Sequence, residues 1–322
     1  MQMRKLGRSG IDVAPLALGG NVFGWTADEA RSFAVLDAFI AAGFNLVDTA
    51  DVYSVWAPGH KGGESETVIG NWLKQRGGRN KVVIATKVGM QMAPDRKGLA
   101  KEYILRSVED SLKRLQTDYI DLYQSHRDDP EAPMEARFEA YAQLVKQGKV
   151  RAIGASNYDA ARLKLALETS KKLGTPRYET LQPHYNLVER GLFEGPLQDL
   201  CVKEEVGVIG YYSLASGFLS GKYRGEGDLG KSVRGGGAVK KYLTPRGFGI
   251  LKAVDDVAAR LGATPAQVAL AWAIARPAIA APIVSATSTQ QLAEILKAAD
   301  LKLDAASMAS LDAASVPQAA AA

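Results

Sequence analysis

Cysteine is almost absent: Cys201 is the only one in 322 residues. No internal disulfide can form, which fits a reducing compartment. Cys201 falls in a helical pattern and reads as a core thiol. The three histidines, His60, His126 and His184, show no metal-ligand spacing, so no metal site is expected. No apolar run reaches the eighteen residues or so that a membrane-spanning helix requires. Residues Met1 to Gly7 lack the apolar centre of a secretion signal, so a soluble cytoplasmic chain without a membrane partner is expected. The net charge is +5, but the basic residues are scattered, with no arginine-rich arm or lysine run. A nucleic-acid partner needs a basic patch, and none is expected. No Pro- or Ser-rich linker divides the chain, so residues 1–322 read as one domain, a monomer or weak homo-oligomer.

What is present is a long alternation. Gly7-Arg8-Ser9-Gly10 separates two short strands over residues 3–14, a hairpin expected to cap one end of the fold. Apolar runs then alternate with helical spacing. Strands are expected at Leu16-Ala17-Leu18, 44–48, Val82-Lys87, Ile120-Ser125, Val150-Gly154, Thr180-Gln182, Val208-Tyr211 and Pro282-Val284. Eight strands alternating with helices imply a parallel sheet closed into a (β/α)8 barrel, with extra helices near the C-terminus. In such barrels chemistry gathers where strands end.

Two glycine motifs are set aside. Gly225-Glu226-Gly227-Asp228-Leu229-Gly230 has dinucleotide-fingerprint spacing, and with Lys231-Ser232 it also matches a phosphate loop. Both motifs need a strand before and a helix after. Ser220 to Arg224 is no apolar strand, and Gly235-Gly236-Gly237 opposes a helix. The stretch reads as a loop able to fold over a ligand.

Four side chains stand just past strand ends: Asp48, Tyr53, Lys87 and His126. Each has a plain reading, as a turn cap, a half-buried ring, a solvated charge and a loop histidine. Together they supply an acid, a phenol, an amine and an imidazole. A phenol titrates near 10 or so, and a neighbouring ammonium makes it more acidic. A carboxylate keeps the ammonium charged and aimed, while an imidazole orients a carbonyl oxygen. The set could protonate a carbonyl oxygen as hydride reaches the carbon.

The chain resembles the aldo-keto reductases, including the branch of the potassium-channel β subunits. The resemblance is carried by Asn45-Leu46-Val47-Asp48-Thr49-Ala50-Asp51-Val52-Tyr53, Ile84-Ala85-Thr86-Lys87 and Asp121-Leu122-Tyr123-Gln124-Ser125-His126. Ile153-Gly154-Ala155-Ser156-Asn157, Gln182-Pro183-His184-Tyr185-Asn186, the run Tyr211 to Tyr223, and Ser285-Ala286-Thr287-Ser288 continue it. It implies a TIM barrel holding a nicotinamide cofactor without a Rossmann fold. Tyr53 is then the general acid, Asp48 and Lys87 tune it, and His126 positions the carbonyl. Ser156, Asn157 and Gln182 hold the nicotinamide carboxamide. Tyr211 stacks on the ring, with Tyr212 as its neighbouring competitor. Leu214, Ser216 and Leu219 lie where the family's loop meets the pyrophosphate.

The adenosine end implies Ser285, Thr287, Ser288, Gln291 and Glu294, none of them cationic. NADPH is expected as cofactor, with NADH as the alternative. Phe23, Trp25, Trp56 and Arg127 are the expected substrate contacts for a small-molecule carbonyl. Three other readings stay open. The chain could be a cofactor-binding redox-sensing or auxiliary subunit, an NAD-dependent alcohol or sugar dehydrogenase, or an aldolase using Lys87 as a Schiff base. Asp48 argues against the last by favouring a charged lysine.

Overall fold

The computed structural model describes residues 1–233 and 235–317. The hairpin forms as expected, with β1 (Arg4–Lys5) antiparallel to β2 (Asp12–Val13). Gly7 and Gly10 turn it in the left-handed region, at φ 58° and 76°. Its Leu6, Ile11 and Val13 plug the N-terminal end of the barrel interior against Leu46, Val83, Leu122 and Ile209.

Eight parallel strands follow: β3 (Ala17–Gly19), β4 (Leu46–Asp48), β5 (Val83–Val88), β6 (Ile120–Ser125), β7 (Val150–Ser156), β8 (Tyr178–Gln182), β9 (Gly207–Val208) and β10 (Ile283–Val284). They pair in sequence order, and β10 returns to β3. The last seam closes through Ala280 N to Val208 O and Ile283 N to Gly210 O, each 2.8 Å. This is the (β/α)8 barrel expected from the alternation. All residues of β5 and β6 are buried, because a parallel barrel strand is covered on both faces. β9 is shorter than the expected Val208–Tyr211: beyond Val208, Gly210 O still accepts from Ile283 N, and Tyr211 keeps a bridge to His184 and lines the cleft.

The helices are α1 (Glu29–Ala41), α2 (Glu64–Arg76), α3 (Lys101–Leu115), α4 (Met134–Lys146), α5 (Ala160–Leu173), α6 (Pro196–Lys203), α7 (Pro245–Leu261), α8 (Pro265–Ile274), α9 (Thr289–Leu296) and α10 (Ala305–Ala314). Their starts are written in the sequence. Asp28 accepts from Arg31 N and Asp159 from Arg162 N. Thr264 and Gln267 make a reciprocal capping box ahead of α8. In α3, Tyr103, Ile104, Ser107, Val108, Ser111, Leu112 and Leu115 face inward at three- and four-residue spacing. Among the described residues, the glycine-rich segment lacks the strand–loop–helix of a phosphate loop. Residues Glu226–Lys231 form a 3-10 turn, and Gly235–Val239 make one π turn. Buried Val239 and Tyr242 anchor that turn from outside the glycines, which the glycine count alone does not reveal.

Helices α2 and α3 approach so closely that a methyl group on Gly70 would lie 2.0 Å from Arg114 O. The clash is with backbone and no rotamer relieves it. Gly70→Ala is expected to destabilise the chain by about 1–3 kcal/mol or more, read as a lowered denaturation midpoint.

Candidate active site

The functional candidates share one rim because each strand stops at the same level. Asp48 ends β4, Lys87 sits one residue before the end of β5, and His126 follows β6. Ser156 ends β7, Gln182 ends β8, and Ser285 follows β10. Between Asp48 and Tyr53 the chain makes a tight loop, tied by Thr49 N to Ala85 O (2.8 Å) and Asp51 N to Lys87 O (3.2 Å). Ser54, in the left-handed region at φ 76°, turns it back, and its hydroxyl donates to Phe23 O.

Lys87 is wholly buried, and all three of its protons have acceptors. Nζ donates to Asp48 Oδ2 at 2.8 Å, Thr49 O at 2.7 Å and Tyr53 OH at 2.9 Å. Tyr53 OH in turn donates to Asp48 Oδ2 at 3.2 Å. Burial lowers the Lys87 pKa, while Asp48 opposes the shift. The Tyr53 phenol moves against expectation. Burial, then the Asp48 charge, push it well above its ordinary 10, outweighing the ammonium. It therefore keeps its proton. The His126 ring edges onto Tyr53 with centroids 6.0 Å apart, and its Nδ1 is buried without a partner. Burial, then Lys87 and Arg127, hold His126 well below 6.5, so it is neutral at neutral pH.

These groups open into a cleft of about 710 Å³. Asp48, Tyr53 and His126 face it, while Lys87 lies behind them. Ser156, Asn157, Gln182, Tyr211, Leu214, Ser216, Ser285, Thr287 and Gln291 line it as well. They are already tied together. Asn157, left-handed at φ 57°, donates Nδ2 to His126 O and Ser156 Oγ, each at 3.0 Å. Its Oδ1 accepts from Tyr211 OH at 2.8 Å. The Tyr211 ring stacks on His184 at 5.3 Å, and burial raises its phenol to about 12. Ser285 Oγ donates to Asn21 Oδ1 at 2.6 Å.

Several expected contacts fall elsewhere. Leu219 is turned into the core, and Phe23 is fully buried beneath the site. Ser288 caps α9 by accepting from Gln291 N. Glu294 lies outside the cleft lining and offers its carbonyl to Gln267. Trp25 stands behind Trp56, edge-on at 5.6 Å, and Trp56 alone reaches the cleft. Arg127 is exposed outside it.

Other lining residues were not expected. Val52, Val55, Met90, Gln91 and Asn21 also line the cleft. Tyr212, named above as the competitor of Tyr211, also lines the cleft; left-handed at φ 54°, it projects its ring edge-on to Tyr211. Lys222 brings a cation to a cleft whose 285–294 segment has none. It sits within the run Tyr211 to Tyr223, but only the fold carries it to the cleft. Ser232 and Val233 of the glycine-rich segment also line the cleft, with Ser232 hydrogen-bonded to Tyr223 OH at 2.6 Å.

His126 makes a pH prediction. Its depressed folded pKa means that the unfolded chain binds the proton first. Stability should therefore fall as pH drops below about 6.5 and level off below the folded pKa. Urea denaturation of His126→Gln should show a smaller loss over that window; an equal loss would remove His126 as its source.

Comparison with known proteins accords with this geometry. Residues 15–316 match the model of the aldo/keto reductase family. The chain is 34% identical over 313 residues to the uncharacterized oxidoreductase YrpG of Bacillus subtilis, covering 94% of this chain and 93% of that protein. It is 33% identical over 339 residues to protein tas of Escherichia coli, covering 97% of each. It is 32% identical over 311 residues to a putative voltage-gated potassium channel subunit beta of Schizosaccharomyces pombe, covering 92% and 88%. With the buried Asp48–Lys87–Tyr53 group at a barrel rim and the family match spanning that barrel, this chain belongs to the aldo/keto reductase family.

Proposed function

We propose that this chain reduces an aldehyde or ketone to the alcohol using NADPH, with Tyr53 giving the proton. The observation that carries the reading is the Tyr53 hydroxyl facing the cleft with Asp48 and Lys87 behind it. The cleft residues suit the cofactor. Tyr212, Ala215, Ser216 and Gly217 have positive φ, and successive amides in such turns form a concavity for anions. When bound, the nicotinamide supplies hydride to the carbonyl carbon.

The chain does the rest. His126, being neutral, carries one N–H to orient the carbonyl oxygen. Tyr53 passes its proton to that oxygen as negative charge develops. Lys87 donates to the phenol oxygen and stabilises the phenolate left behind. Asp48 holds Lys87. Ser156, Asn157 and Gln182 hold the carboxamide, and Tyr211 offers its free face to the ring. Leu214 and Ser216 contact the pyrophosphate, while Ser285, Thr287 and Gln291 face the adenosine end. Trp56, with Val52, Val55 and Met90, makes an apolar wall for the substrate. Lys222 supports the choice of NADPH by supplying a charge for a phosphate.

Lys87 lies behind Tyr53, fully buried, where no substrate carbonyl reaches it. That opposes the Schiff-base reading. The similarity to proteins named as potassium-channel β subunits favours one second reading, a cofactor-binding subunit with little turnover. Co-purification with a membrane complex and negligible turnover on a broad carbonyl panel would select it.

Tyr53→Phe should lower kcat by about 10²–10⁴-fold while NADPH still quenches tryptophan fluorescence; retained turnover would remove Tyr53 as the acid. Lys222→Ala should weaken NADPH binding roughly 10- to 150-fold and NADH binding little, the loss of one charge-assisted contact of about 1.5–3 kcal/mol. Equal losses would move Lys222 to the pyrophosphate and reopen NADH as the cofactor.

A further inference from the structure

We infer that Gln182 is a positioning residue for proton delivery, its amide fixing Asp48 in the one arrangement that serves Lys87 and Tyr53 together. The inference rests on Tyr53 as the proton donor. Gln182 ends β8, 134 residues from Asp48, and its Nε2 donates to Asp48 Oδ1 at 2.8 Å across the barrel mouth. The other carboxylate oxygen, Oδ2, takes both Lys87 Nζ at 2.8 Å and Tyr53 OH at 3.2 Å. The two oxygens of Asp48 thus have separate tasks: one faces the proton-delivery pair and one is tethered. Asp48 and Gln182 are 1% and 2% exposed, so water does not replace the tether.

One physical effect follows. Without the amide, Oδ1 becomes a buried charged acceptor with no partner, and rotation of the carboxylate relieves it at the expense of Oδ2. Gln182 is itself held in place. Its carbonyl accepts from Ser156 Oγ at 2.8 Å and from Asn157 N at 3.3 Å, so β7 sets the height of the amide. Donation to Asp48 uses one of the two N–H groups of Nε2. Oε1 and the second N–H are left for a carboxamide, and the two tasks are compatible.

The test compares the full chain with Gln182→Met and Gln182→Glu. In Gln182→Met, kcat at saturating NADPH should fall at least tenfold. The alkaline limb of the reduction profile should move to lower pH, because a rotated carboxylate no longer holds the Tyr53 proton through Oδ2. Binding of adenosine 2′,5′-bisphosphate should not change, which establishes that the cleft is folded. In Gln182→Glu, activity should recover as pH falls and the new acid regains a proton to donate to Asp48. Weaker NADPH binding alone, with kcat and the alkaline limb unchanged, would overturn the inference and leave Gln182 as a carboxamide holder. A wild-type chain that reduces no carbonyl is a separate failure, that of the proposed reaction. The carbon-13 shift of Tyr53 Cζ, assigned by its loss in Tyr53→Phe, then decides without turnover. Displacement in Gln182→Met supports the tether, and an unmoved signal overturns it.

Discussion

A lysine ammonium sealed from water is the constraint on which the rim of this barrel depends. Removing such an ion from water costs several kcal/mol unless partners replace its hydration. Lys87 has three, and they come from Asp48, Thr49 and Tyr53. They all belong to β4 and the turn after it, so satisfying one charge fixes the turn from 49 to 54. That turn carries left-handed Ser54 and places Tyr53 over the lysine. An apolar residue at position 87 would leave Asp48 as the uncompensated charge, and the turn would lose its reason for closing.

The same charge sets the electrostatics of the cleft floor. Lys87 adds to burial in keeping His126 neutral, so the imidazole is a neutral polar group and not a second cation. Burial and Asp48 keep Tyr53 protonated. An acid and a neutral donor therefore face the cleft together, with the charges behind them. Around this floor the strand ends are linked by side-chain hydrogen bonds: Gln182 to Asp48, Ser156 to Gln182, Asn157 to His126 and Tyr211 to Asn157. Four strand ends and the turn after β9 are held at one height without metal or disulfide among the described residues.

Beneath the rim, β6 rests on a second buried network. Ser125 Oγ meets Tyr141 OH and Tyr178 OH at 2.7 Å each, and Arg137 is fully buried against Tyr158 OH at 2.6 Å. Arg137 also binds Asp128 and Asp129 O, so it fixes the loop leaving His126 from below. This explains why Arg127, an expected substrate contact, stands outside the cleft. Asp128 is taken by Arg137 and Arg162, which leaves Arg127 outward.

The sequence by itself determined the barrel, most element boundaries and the four chemical groups. Period-two and period-3.6 patterns are local, and caps such as Asp28, Asp159 and Thr264 are read within a few residues. Asp48 and Tyr53 are legible as a pair because one turn carries both. Tertiary structure alone decided which neighbours turn inward. Phe23 and Leu219 went to the core and Ser288 to a helix cap, while Lys222 reached a cleft whose 285–294 segment holds no cation. It also reversed the direction expected for Tyr53: adjacency to an ammonium is inferable from residue types, but the depth of burial and the nearness of Asp48 are not. Gln182 illustrates the division. Its place at a strand end is local information, whereas its bond to a carboxylate 134 positions away exists only once the barrel closes.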